Sequence, residues 1–141
     1  MVDRDIVLEK IGQIQNCLKR IREKTKGDET TLENLDTQDI FVLNLQRAIQ
    51  SSLDLAAHII SDEGLGLPDD LRANFILLEK AGIIGKTLSD HLQNMVGFRN
   101  IAVHEYSLID VEILKSILSQ HLKDLEVFYA AVLKHFKMAG R

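Results

Sequence analysis

A regular spacing of apolar residues is the feature that most restricts how this chain can fold. Near the N-terminus an apolar side chain recurs after four and then three residues: Val7, Ile11, Ile14, Leu18 and Ile21. This is the period of an α-helix that buries one face, and a strand would instead alternate every two residues. We therefore predict a first helix over Asp3–Lys24 that packs against other helices.

The same periodicity predicts an all-α, up-and-down bundle of about five helices. The other helices are expected from Asp36 or Thr37 to Ser61, over Asp70–Lys80, over Thr87–Val103, and from Asp110 onward. The last helix should bury a long stripe: Leu114, Ile117, His121, Leu125, Phe128, Val132 and Phe136. A chain of 141 residues with a single proline fits one helical domain over residues 1–141.

Composition and charge exclude several classes of protein. The net charge of −4 argues against a general nucleic-acid coat, although a local basic groove remains possible. The single cysteine, Cys17, excludes an intrachain disulfide and a cysteine metal cluster, and it favours a reducing cytoplasm. No apolar run approaches the ~20 residues of a membrane span, so no membrane partner is expected.

Neither a metal ion nor a cofactor is expected from the sequence. The five histidines are widely spaced, and no H-E-x-x-H pattern occurs. His91 and His135 are predicted to be surface residues, whereas His121 falls in the inner stripe of the last helix. The glycines are too few and wrongly spaced for a phosphate-binding loop.

A cation occupies an apolar position of the fourth helix. The spacing that includes Leu92 and Met95 continues to Arg99, where a core residue is expected. An unpaired charge costs several kcal/mol or more to bury. Either a carboxylate meets this guanidinium, or this face of the helix is a site or an interface.

Three further polar residues follow Arg99 closely. Asn100 is its neighbour, His104 comes five residues after it, and Tyr106 should lie beyond the helix end. Five residues correspond to ~140° around a regular helix, so Arg99 and His104 do not share a face. They converge only if the helix loosens near residues 100–104 or if a second copy of the chain supplies one of them. A helix end with a satisfied arginine and a capping histidine explains the spacing equally well.

The second helix carries a polar stripe opposite its apolar one: Asn44, Arg47, Ser51, Asp54 and His58. One interpretation is a solvated face. The other is a second wall of a site that includes Arg47, with Asp54 or another carboxylate steadying Arg99. The sequence leaves both open.

The spacing Arg99-x4-His104-x-Tyr106, with Asn100 after the arginine, resembles the R-x4-H-x-Y motif of the HepT-like toxins, a branch of the HEPN ribonucleases. The resemblance covers nearly the whole chain, including residues 44–60 and 67–110. It implies a HEPN-like fold, a homodimer, and metal-independent endoribonuclease activity at a composite site in the dimer interface.

The resemblance also implies roles for the motif residues. Arg99 would stabilise charge on the substrate phosphate, and His104 would act as general base or acid, supported by Asn100 and Tyr106. One histidine cannot easily be base and acid at once, which two copies of the motif would solve.

The resemblance further implies a partner, an MntA-like nucleotidyltransferase antitoxin that transfers AMP to Tyr106. The added negative charge beside Arg99 and His104 would exclude the RNA phosphate. The alternative is a non-catalytic helical subunit that helps a nucleotidyltransferase to bind its substrate; such a subunit would not need the intact Arg99 and His104 pair.

Overall fold

The computed structural model describes residues 1–138, and its regular structure there is entirely helical. Its α-helices are α1 (Arg4–Thr25), α2 (Leu35–Glu63), α3 (Leu71–Lys80), α4 (Lys86–His104), α5 (Val111–Ser116) and α6 (Leu122–His135). A π-helical turn, Ile117–His121, joins α5 and α6 into one continuous run. Because that run counts as one, the predicted all-α architecture of about five helices is confirmed.

The core forms where α1 packs along α2. The predicted stripe of α1 is buried to 1% exposure or less, and so are the apolar positions of α2, Phe41, Leu45, Ala48, Leu55 and Ile59. Phe75 of α3 and Phe128 of α6 meet edge to face, with ring centroids 5.6 Å apart, and close the core from the other side. None of the helices in residues 1–138 is both long and apolar enough to cross a bilayer.

The helix ends follow capping chemistry, with two corrections to the sequence prediction. Asn34, and not Asp36 or Thr37, caps α2, because its Oδ1 accepts a hydrogen bond from the backbone N–H of Thr37 at 3.1 Å. Helix α2 also runs two residues past Ser61, to Glu63, and stops at Gly64 in the left-handed conformation (φ 64°). Asp110 caps α5 as expected, by accepting from the N–H of Glu112.

The prediction that His121 lies in the inner stripe of the last helix is wrong. The π-helical turn adds one residue to the spacing, so the buried positions run from Ile117 to Leu122. Leu122 is 3% exposed and takes the core position, whereas His121 is half-buried at the edge. His91, predicted on the surface, is also half-buried, and the structure brings these two histidines together.

Candidate active site

Arg99 is half-buried on α4 and is held by two amides. Its Nη2 donates to Oε1 of Gln50 on α2 at 3.0 Å, and its Nη1 donates to Oδ1 of Asn100 at 3.1 Å. Its Nε is buried without a hydrogen-bond partner. The sequence left open whether a carboxylate meets Arg99 or this helix face is a site or an interface. In the described residues no carboxylate contacts the guanidinium directly.

Asp54 reaches Arg99 indirectly, through Gln50. The Nε2 of Gln50 donates to Oδ1 of Asp54 at 2.9 Å, and Oδ2 of Asp54 lies 3.8 Å from Nζ of Lys10 on α1. The amide of Gln50 is thereby fixed with its oxygen toward the guanidinium, because its nitrogen must face the carboxylate. Gln50 was not predicted as a site residue from the sequence; its position one helical turn before Asp54 was the available signal.

His104 is the last residue of α4, and it is exposed. Within residues 1–138 its side chain makes no hydrogen bond or ion pair, so it does not act as the helix cap that the simpler interpretation required. Helix α4 stays regular up to this point, and the N–H of Glu105 still donates to the carbonyl of Ile101 at 2.8 Å. Within one chain, the regular geometry therefore keeps Arg99 and His104 ~140° apart around the helix.

Tyr106 opens a short 3₁₀ turn after α4 and is 47% exposed. Its hydroxyl donates a hydrogen bond to Oδ1 of Asp39, which lies near the start of α2. Partial burial, this hydrogen bond and the negative charge of Asp39 together raise the pKa of Tyr106 to about 12. The phenol is therefore neutral at physiological pH and hydrogen-bonded to a carboxylate.

The rest of the polar stripe of α2 turns largely toward α1. Ser51 donates to Oε1 of Gln13 on α1 at 3.1 Å. Arg47 is exposed and close enough to Cys17 on α1 for its charge to act on the pKa of that thiol, which burial nevertheless raises. No hydrogen bond or ion pair joins Arg47 to the motif in the part of the chain that the structure describes.

Exposed apolar side chains surround the motif. Leu43 of α2 is 45% exposed and Val103 of α4 is 41% exposed, and Leu108 of the following turn is 67% exposed. Leu43 and Gln50 lie seven residues apart on α2, and Val103 follows Arg99 by four residues, so each shares a helix face with the amide–guanidinium pair. The motif is thus set in a surface that combines cations, amides and apolar groups.

This arrangement suits the recognition of a phosphate. A guanidinium has five N–H donors, and Arg99 uses two of them on Gln50 and Asn100. One donor remains on each terminal nitrogen, and no carboxylate of the described residues competes for them. An imidazole with no partner in residues 1–138 stands at the end of the same helix.

The chain is similar to a described protein family and to a curated relative along most of its length. Residues 14–132 match the family described as ribonuclease HepT-like. The chain is 39% identical over 124 residues to the mRNA nuclease HepT of Shewanella oneidensis. The aligned region covers 88% of this chain and 93% of that protein.

Two solved structures share the fold along nearly the whole chain. One is a toxin–antitoxin structure with AMP-PNP (TM-score 0.88, 37% identity, 93% of this chain and 99% of that one). The other is the tri-AMPylated Shewanella oneidensis HEPN toxin in complex with MNT antitoxin (TM-score 0.88, 38% identity, 94% of this chain and 99% of that one).

Proposed function

The chain belongs to the ribonuclease HepT-like family, and on this basis we propose that it is the endoribonuclease toxin of a toxin–antitoxin pair. Its substrate is RNA, with mRNA as the expected class, and its place of action is the cytoplasm. The observation that carries the proposal is the guanidinium of Arg99, which two neutral amides hold and which has no carboxylate partner in residues 1–138. Its remaining donors can bind two phosphate oxygens in the fork geometry that arginine favours.

Cleavage uses the ribose 2′-hydroxyl as nucleophile. A base removes its proton, the 2′-oxygen bonds to phosphorus, and the bond from phosphorus to the 5′-oxygen breaks as an acid protonates that oxygen. Arg99 stabilises the negative charge on the phosphorus oxygens, and exposed His104 supplies base or acid. This scheme needs no metal ion. Asp54 contributes through Gln50, and Arg47, about one turn before Gln50 on α2, supplies a cation for the RNA backbone.

Two copies of the chain complete the site. Helix α4 keeps Arg99 and His104 on different faces, so a second motif is the remaining way to bring an imidazole to the guanidinium. The exposed side chains Leu43, Val103 and Leu108 supply the apolar surface that a stable interface buries. We therefore assign the homodimer interface to this face of α2 and α4.

The proposed antitoxin is a nucleotidyltransferase that modifies Tyr106 with AMP. The tyrosine oxygen bonds to the α-phosphorus of ATP, the bond from that phosphorus to the bridging oxygen breaks, and pyrophosphate leaves. Asp39 already accepts the hydrogen bond of the Tyr106 hydroxyl and takes its proton. The attached phosphate brings negative charge next to the motif and repels the RNA backbone.

The test is RNA cleavage in excess EDTA by unmodified protein, with Tyr106 confirmed free by intact mass. The wild type should cut, and His104→Ala should lose at least ~100-fold in rate, the usual contribution of a general acid or base. His135→Ala is the matched control, since His135 is also exposed but lies at the end of α6.

Two results would overturn the proposal. Failure of the wild type to cut total RNA or tRNA would favour the non-catalytic subunit of a nucleotidyltransferase. Equal cleavage by the wild type and His104→Ala would assign the activity to another site or to a contaminant.

A further inference from the structure

Three side chains that bind metal ions meet away from the motif. The Nδ1 of His91 on α4 lies 3.3 Å from Oδ2 of Asp124 on α6, and the Nδ1 of His121 lies 3.2 Å from the same oxygen. All three ligand atoms lie within 4.8 Å of one another. Asp124 is only 6% exposed, whereas the side chains of His91 and His121 are 39% and 40% exposed. The cluster thus has a buried anion at its base and a side open to solvent.

The π-helical turn creates this cluster. A regular helix would keep His121 in the apolar stripe, four residues after Ile117. The inserted residue gives that core position to Leu122 and turns His121 toward His91, so that the two rings stand edge to face with centroids 5.5 Å apart. Single π-helical turns are rare in proteins, and those that occur are often found at functional sites.

We propose that His91, His121 and Asp124 bind a zinc ion. Zinc bonds of ~2.0–2.2 Å to nitrogen and oxygen in a tetrahedron place neighbouring ligand atoms ~3.3–3.6 Å apart. The two nitrogen-to-oxygen separations of 3.3 and 3.2 Å are close to that edge length. Rotation of a half-exposed imidazole closes the remaining separation between the two nitrogens.

The feature that favours an ion is the convergence of two imidazoles on one carboxylate oxygen. The Nδ1 of His121 is within hydrogen-bonding distance of Oδ2 of Asp124, at 3.2 Å, and the Nδ1 of His91 approaches the same oxygen. The His58 and Asp62 pair on α2, in contrast, brings a single imidazole to its carboxylate.

The fourth coordination position faces a cavity of about 240 Å³. Both imidazoles line this cavity, together with Asn94 and Phe98. A water molecule or another small ligand can complete the tetrahedron there. Histidine and carboxylate ligands without thiolates favour a divalent transition metal over calcium or magnesium.

The zinc site lies apart from the proposed nuclease site. His91 precedes Arg99 by eight residues, which is ~12 Å along α4. The ion therefore cross-links α4 to α6 and stabilises the helix that carries the motif, without touching the RNA phosphate. The inference does not depend on the proposed function.

The test is a calorimetric titration of the metal-free full chain with Zn²⁺, repeated with Co²⁺ to record its visible absorption. We expect one ion per chain, the intense bands of four-coordinate Co²⁺, and a higher melting temperature with Zn²⁺ than in EDTA. His121→Gln should lower the affinity at least ~10–100-fold, the loss typical of removing even an outer partner of a metal site. His58→Gln, which breaks a histidine–aspartate pair without a second imidazole, should leave the affinity unchanged.

The proposal is overturned if the wild type binds no Zn²⁺, or if His121→Gln binds as well as the wild type. It is also overturned if His58→Gln causes the same loss. Because Asp124 is buried and its substitution can unfold the chain, His91→Gln is the second variant, checked by circular dichroism. An unchanged Zn²⁺ affinity in that folded variant excludes the site.

Discussion

Replacing Gln50 by methionine tests the link between the fold and the candidate site. Methionine has nearly the same shape, but it removes both the 3.0 Å hydrogen bond from Arg99 and the 2.9 Å hydrogen bond to Asp54. A hydrogen bond to a charged group contributes ~1.5–3 kcal/mol. The bond to Asp54 adds little, because that carboxylate is 45% exposed and can be solvated.

The free energy of unfolding should therefore fall by ~1.5–3 kcal/mol, measured by urea denaturation. The substitution leaves Nη2 of Arg99 without the Gln50 acceptor. The guanidinium then has two nitrogens without an observed partner, because its Nε is already buried without one. RNA cleavage should fall ~10–100-fold, because a shift of ~1 Å in a group that positions the phosphate has effects of this size.

Gln46→Met is the matched control, since Gln46 is half-buried one turn earlier on α2 and its side chain has no hydrogen-bond partner in residues 1–138. It should change the unfolding free energy by less than ~0.5 kcal/mol and leave cleavage intact. If Gln50→Met and Gln46→Met behave alike in both assays, the amide does not hold the guanidinium and the reasoning fails.

Two other predictions concern the interface and the modification site. Val103→Glu should convert the dimer to a monomer in light scattering and abolish cleavage, whereas Val127→Glu, at an exposed valine of α6, should do neither; a dimeric Val103→Glu would place the interface elsewhere. Asp39→Asn should lower the pKa of Tyr106 from about 12 toward 10, though not fully, because desolvation is the largest cause of the shift. Spectroscopic titration with the other tyrosine replaced measures this, and AMP transfer by the antitoxin should slow in Asp39→Asn but not in Asp36→Asn.

The sequence predicted the helices well because their signal is local. The four-and-three spacing of α1 and α2 follows from the 3.6-residue turn, and every residue of those predicted stripes is buried. Errors occurred at helix ends, where Asn34 instead of Asp36 caps α2, because several adjacent polar residues can serve as caps. The π-helical turn was not predicted for a related reason. It lengthens the spacing between two buried residues, Ile117 and Leu122, by a single residue.

The motif residues Arg99, Asn100, His104 and Tyr106 were recognisable from the sequence because they lie within eight consecutive positions. Their partners were not. Gln50 is 49 residues from Arg99, and Asp39 is 67 residues from Tyr106. Apart from the position of Gln50 one helical turn before Asp54, no local pattern marks either residue, and the packing of α2 against α4 selects them.

The amino-acid sequence by itself determined the helical architecture, the position of a cation in an apolar stripe, and the family to which the chain belongs. The tertiary structure decided what that cation contacts. Because α4 runs antiparallel to α2, Gln50 faces Arg99 and the earlier Asp39 faces the later Tyr106. The packing of α4 against α6, together with the extra residue of the π-helical turn, brings His91 close to His121 and Asp124. Periodicity is a property of neighbouring residues, whereas these contacts depend on how whole helices are placed.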